Sequence, residues 1–167
     1  MASGETLLIF TPSMNEPPGT NPATPDRRNY HDVLDFDAST DEEAVFKAVL
    51  PRNYSGGGVT VYVHYSMSSD STNNVVWQGA FERIGDGIQD VDADGFAAFQ
   101  STGAVAVPTN LGNVGIDTIT FTNGAQMDSI AVGELIRFKL RRDADDTSAT
   151  DSASGDAELH AIEIKET

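Results

Sequence analysis

The chain of 167 residues contains no cysteine, so disulfides and thiolate metal centres are excluded. Basic residues are scarce: 10 Lys and Arg stand against 26 Asp and Glu, a formal net charge of −16. Such a surface repels phosphate backbones and anionic lipid, so neither nucleic acid nor a membrane is an expected partner. No long apolar run is present either. The first ten residues carry only Leu7 to Phe10, too short for a signal peptide or a membrane span. Long amphipathic helices are missing as well, which removes the usual framework of cofactor-binding α/β folds.

What the chain does contain is a succession of short β-type stretches, each closed by Gly, Asn, Asp, Ser or Pro. The candidates run over 30–37, 45–50, 59–67, 74–84, 99–107, 117–122, 134–141 and 158–165. In Thr118-Ile119-Thr120-Phe121-Thr122 the apolar side chains share one face, and in Ile136-Arg137-Phe138-Lys139-Leu140-Arg141 the faces are apolar and basic. This predicts an all-β domain, an eight-stranded antiparallel jelly-roll sandwich, with an immunoglobulin-like sandwich as the alternative. The jelly roll places the first, eighth, third and sixth strands in one sheet and the second, seventh, fourth and fifth in the other. Arg137, Lys139 and Arg141 then lie between Lys47 on one flank and Gln78 and Glu82 on the other, which gives Glu82 a cross-strand ion pair with the basic face worth well under about 1 kcal/mol at a wet surface. The expected core is Phe46, Val61, Val63, Trp77, Phe81, Ile119, Phe121, Ile136, Phe138, Leu159 and Ile164.

Residues 1–29 are expected to form an extended arm, because Pro12, Pro17, Pro18, Pro22 and Pro25 prevent a helix or a central strand there. Its run from Leu7 to Phe10 would add an edge strand to this domain or to a neighbouring copy. Residues 30–167 are the sandwich. Short helical turns are expected after Thr40, at Asp94 to Phe99 and at Met127 to Ile130.

The sharpest local motif is Asp90-Val91-Asp92-Ala93-Asp94-Gly95, the opening of a calcium loop. Its ninth and twelfth positions are Ala98 and Ser101, where ligands are wanted, so Asp90, Asp92 and Asp94 are candidate ligands weighed against simple turn capping. A second acidic group, Asp143, Asp145, Asp146, Asp151 and Asp156, reads as a solvated loop or a gathering point for calcium. His31, His64 and His160 fall on strands that a jelly roll sets side by side, where exposed single histidines are the simpler expectation. No nucleophile elbow or phosphate loop is present: Gly56-Gly57-Gly58 lacks a Lys and precedes a β run. No catalytic residue or cofactor is therefore expected, and the chain reads as non-enzymatic. Trp77, Tyr62 and Tyr65 are the aromatic residues to weigh for a sugar platform, with Trp77 assigned to the core by parity.

Several strings together resemble a family of small structural proteins from tailed bacteriophages and viral metagenomes. They are Val33-Leu34-Asp35-Phe36-Asp37, Leu50-Pro51-Arg52-Asn53-Tyr54, Val76-Trp77, Phe81-Glu82-Arg83, Asp92-Ala93-Asp94-Gly95-Phe96, the run from Arg141 to Asp146, and Ile162 to Thr167. The resemblance implies a non-enzymatic virion component, made in the host cytoplasm. It would decorate a capsid or join a tail or fibre, assembling with copies of itself, a trimer for preference, and with a capsid or tail protein. It carries no functional residues across. The alternative function is a carbohydrate-binding adhesion module.

Overall fold

In the computed structural model, which describes residues 4–167, the chain is an antiparallel two-sheet jelly roll. The strands are β1 (Thr6–Phe10), β2 (Thr24–Arg28), β3 (His31–Phe36), β4 (Glu43–Val49), β5 (Val59–Met67), β6 (Asn74–Val75), β7 (Trp77–Ile84), β8 (Gln100–Ser101), β9 (Val105–Ala106), β10 (Gly115–Phe121), β11 (Leu135–Arg142) and β12 (Ala157–Glu166). One main sheet runs β10-β5-β12-β3-β2, with β1 also on β12, the other runs β4-β11-β7-β8, and β6 and β9 pair as a separate two-stranded ribbon. This is the strand order the sequence pattern predicts. It selects the jelly roll over the immunoglobulin-like alternative, and all eleven expected core residues are buried in one cluster. No helix among the described residues is long and apolar enough to cross a membrane.

The basic stripe of β11 lies where expected: Arg137 faces Lys47 of β4 and Glu82 of β7, and Arg141 faces Gln78. Burial changes its energetics. Glu82 is fully buried, and Phe96 and Phe99 lie over the stripe, with Lys139 Nζ 4.5 Å from the Phe96 ring and the Arg141 guanidinium 4.1 Å from that of Phe99. The Arg137–Glu82 pair is thus a partly desolvated contact under an aromatic cover, not the wet surface pair expected.

The proline-rich segment behaves differently from an arm. Strand β1 pairs with β12 of its own domain, Leu7, Phe10 and Ala23 join the core, and β2 extends the sheet beyond β3. The boundary expected at residue 29 falls inside the β2–β3 hairpin. Three breaks in local pattern also have local causes. The expected strand over 99–107 is split at Gly103, whose φ of +69° turns the chain from β7 toward β6. Instead of a helix after Thr40, Asp37 Oδ1 accepts the amides of Ser39 and Thr40, and Glu43 opens β4. Asp94 caps no helix; the turn there closes on the Asp90 carbonyl. Only the third expected turn forms, as a 3-10 turn over Ala125–Met127.

Candidate functional site

Strands β2 and β3 form a hairpin at one edge of the larger sheet, and a concavity lies on each side of it. Asn29 and Tyr30 make the turn, both left-handed at φ 45° and 69°. A two-residue turn of this hand matches the twist of the strands, but Gly is favoured at the second position, so a Tyr there costs about 1 kcal/mol. The result is an aromatic ring held in solvent at the tip, 92% exposed.

On one side of the hairpin is an open groove of about 570 Å³. Pro25, Arg27, Asp32 and Leu34 form its floor, and the segment carrying Pro12, Ser13, Asn15 and Pro17 forms its wall. The wall is tied to β4, because Asn15 Oδ1 accepts the Val45 amide at 3.0 Å and the Glu16 amide donates to the Val45 carbonyl at 2.7 Å. Arg27 Nε and Asp32 Oδ1 are 2.9 Å apart, and both side chains are mostly exposed. The groove therefore combines apolar proline rings with polar groups, a combination suited to a ligand with apolar C–H faces and many hydroxyls.

The cleft on the other side, about 320 Å³, is lined by Arg28, Asn29, His31, Gly112, Val114 and His160. His160 reaches it through a β-bulge: Leu159 pairs with Tyr65 and Ala161 with His64, leaving His160 as the additional residue. Its Nε2 lies 2.9 Å from Ser66 Oγ, and its ring centroid is 6.2 Å from that of His31. Burial, partly offset by Glu158, lowers the His160 pKa, so this imidazole is neutral near pH 7. Behind the cleft Arg28 Nη1 donates to the Met67 carbonyl at 2.7 Å and pairs with Glu158.

Carboxylates cluster on the same face around Asp35: burial, with Asp26, Asp156 and Glu158 close by, pushes Asp35 up to about 7. On the inward side of the sheet, burial raises Asp117 of β10 to about 6. Folded protein therefore holds protons between pH 4 and 7 that the unfolded chain has released, so stability falls as pH rises through that window. Other groups set the acid limb. Burial would raise Asp143, but hydrogen bonds from Ser148 and Thr147 outweigh it and hold the carboxyl at about 2; Asp70, bonded by Asn73 and Thr72, and Glu166, bonded by Ser55, are also depressed. Their contribution is lost as pH drops below 4. Melting temperature should peak near pH 4–5, with on the order of 2 kcal/mol lost by pH 8 after allowing for the partial exposure of Asp35. Thermal melts of wild type and Asp35→Asn across this range check it: the variant should gain stability at pH 8 and not at pH 4.5, and a wild type most stable at pH 8 would contradict it.

The sequence-expected site residues lie elsewhere. Asp90, Asp92 and Asp94 are exposed on a turn in which Asp90 Oδ1 accepts the Asp92 amide at 3.0 Å, and their carboxylates do not converge. Carboxylate oxygens of Asp41, Asp143 and Asp145 do come together, but two of the three carboxylates are already engaged, Asp143 by Thr147 and Ser148 and Asp41 by Arg141 and the Asp145 amide, and Asp145 is exposed. The remainder of that acidic loop is ordered by Asp151, which is bonded to buried Arg142. Of the histidines, His31 and His160 share the cleft while His64, flanked by Ile116 and Ala161, does not line it. Trp77 is core, packed edge-on against Phe36 and Tyr65 at 5.1 and 5.5 Å, and Tyr62 lies half-buried on the outer face. Tyr30, Arg27, Arg28 and Asp32 were not among the expected site residues. The local sequence offers only a weak signal for this hairpin, Asn29 as a residue tolerant of a left-handed backbone next to the β-type run from Tyr30.

The fold places the chain among jelly-roll sandwiches. It is similar to the C-terminal CBM6 of LamC, a marine laminarinase from Zobellia galactanivorans, with 10% identity, a TM-score of 0.52, and coverage of 97% of this chain and 100% of that one. It is also similar to a family GH115 4-O-methyl-α-glucuronidase with specificity for decorated arabinogalactans, at 9% identity and a TM-score of 0.52 over 99% of this chain and 18% of that one. A carbohydrate binding module of Cellvibrio mixtus lichenase 5A in complex with cellotriose has 10% identity and a TM-score of 0.48, over 98% of this chain and 99% of that one. At these identities the likeness is one of fold. No protein-family model and no curated protein matches the chain.

Proposed function

We propose that the protein is a non-catalytic saccharide-binding module whose principal site is the groove between the proline segment and the β2–β3 hairpin. The observation that carries this reading is the open groove itself. Prolines at positions 12, 17 and 25 offer plates for sugar C–H faces, and Ser13, Asn15 and the Arg27–Asp32 pair offer hydroxyl partners. The similarity of fold to a carbohydrate-binding module supports it. An open, shallow geometry favours holding a polymer over transforming it, since catalysis needs titratable groups converging in a water-excluding pocket. On a virion, the setting implied by the sequence resemblance, such a module would serve adhesion to a glycan surface. Of the two places expected for the strand at Leu7 to Phe10, an edge of this domain or of a neighbouring copy, β1 takes the first.

Titration with a panel of neutral and acidic oligosaccharides tests the proposal. At least one should bind with Kd on the order of 0.1–1 mM, and Arg27→Ala with Asp32→Ala should weaken it about tenfold. Both side chains are 59% exposed or more, so the double variant should retain its fold. Unchanged affinity in that variant, or a panel without a ligand, would overturn the proposal.

A further inference from the structure

The small cleft beyond the hairpin presents a set of donors on a strongly acidic chain, and the geometry of Arg28 gives it direction. Nη1 of Arg28 is committed inward, to the Met67 carbonyl, Ser66 and Glu158. Its other edge, Nε and Nη2, makes no hydrogen bond among the described residues and lies beside Gly112. A Cβ at Gly112 would stand 3.3 Å from Nη2 and 3.8 Å from Nε, so a side chain there would crowd the free edge. The backbone at Gly112, φ +83°, favours glycine as well. Around that edge stand Asn29 and the imidazoles of His31 and His160, neither of which is hydrogen-bonded to a carboxylate among the described residues.

We propose that this cleft binds the carboxylate of a hexuronic acid, seated against the Nε–Nη2 edge of Arg28 with ring hydroxyls toward Asn29, His31 and His160. Two parallel N–H donors match a carboxylate bidentately, which a neutral sugar cannot reproduce. Inward pairing with Glu158 fixes the guanidinium before the ligand arrives, so little side-chain entropy is lost on binding. The sugar ring in this assignment rests on the saccharide reading of the protein; the carboxylate rests on the cleft alone. A volume of about 320 Å³ suits a monosaccharide unit or a chain end.

The three histidines of the sequence make the test direct, because their imidazole NMR signals can be assigned with His31→Ala and His160→Gln. Glucuronate, glucose and acetate are titrated separately, each to about 20 mM, a range that reports millimolar binding. Glucuronate should shift the His31 and His160 signals and leave His64 in place, with glucose and acetate each at least about tenfold weaker. Arg28→Lys, which keeps the charge and loses the fork, should weaken glucuronate about tenfold, and His31→Ala, at an exposed position, several-fold. Equal effects of glucose would eliminate the carboxylate role, equal effects of acetate would eliminate the sugar, and no shift with glucuronate would eliminate the site. Binding of neutral oligosaccharides in the groove is read separately from the Arg27 and Asp32 variant, so either site can fail alone.

Discussion

Replacing Arg142 with Ala should destabilise the protein by about 3–5 kcal/mol, a large part of the 5–15 kcal/mol typical of a domain. Arg142 is the last residue of β11 and is fully buried. It reaches Asp151 through two hydrogen bonds of 2.9 and 2.8 Å and also donates to the carbonyls of Ala153 at 2.6 Å, Gly155 at 2.7 Å and Phe36 at 3.2 Å. One guanidinium thus satisfies a carboxylate and three backbone acceptors, anchoring the return of the 143–156 loop onto the sandwich. Removing it strands a buried negative charge and leaves those carbonyls without their donor. Chemical denaturation should show the loss, and adding Asp151→Asn should recover part of it, because the stranded charge disappears. A single-variant cost below 1 kcal/mol would mean that water reaches this position.

Phe10→Ala should cost a comparable amount, about 3–5 kcal/mol. Its ring stacks on Phe46 at 5.1 Å between the sheets, while β1 pairs with β12 through Leu8, Ile9 and Phe10. A true arm would tolerate the change within about 0.5 kcal/mol. Denaturation of the variant therefore separates an integrated N-terminal strand from a detachable one, and a negligible loss would return residues 1–29 to the role of arm.

The contrast between these two positions and the rest of the chain shows what the sequence makes legible. Alternation on β5, β10 and β11 places Val61, Val63, Ile119, Phe121, Ile136 and Phe138 in the core, because period-two patterning and burial are the same physical fact. The jelly-roll strand order then sets the basic face of β11 beside Gln78 and Glu82, and the structure fixes the register at Arg137 opposite Glu82. Strand β2 was hidden because Thr24-Pro25-Asp26-Arg27-Arg28 holds a proline and no apolar alternation; as an edge strand it tolerates both. Burial of Glu82 depends on Phe96 and Phe99, which arrive from a loop whose path no local pattern encodes. The acidic D-x-D-x-D-G run illustrates the reverse error. Its spacing is that of a calcium loop, yet its backbone closes on Asp90 and leaves the carboxylates dispersed in water.

The groove and cleft were legible only in fragments, since each is assembled from segments distant in sequence. Pro12 and Asp32 meet because β1 and β3 pair with successive parts of the same edge of β12, and Arg28 and Gly112 meet because the loop before β10 reaches the hairpin. No spacing rule encodes such meetings. The strained Asn29-Tyr30 turn places an exposed aromatic residue between the two concavities, at a position where local preference favours glycine.

Backbone amide NMR of the intact protein, titrated with the best ligand from the oligosaccharide panel, tests the central claim most directly. Saccharide binding at the groove should perturb Ser13, Asn15, Arg27 and Asp32 together while Phe96, Phe99 and the Asp90–Asp94 turn stay unchanged. Perturbations confined to that turn or to the sheet face around Tyr62, with the groove silent, would contradict it.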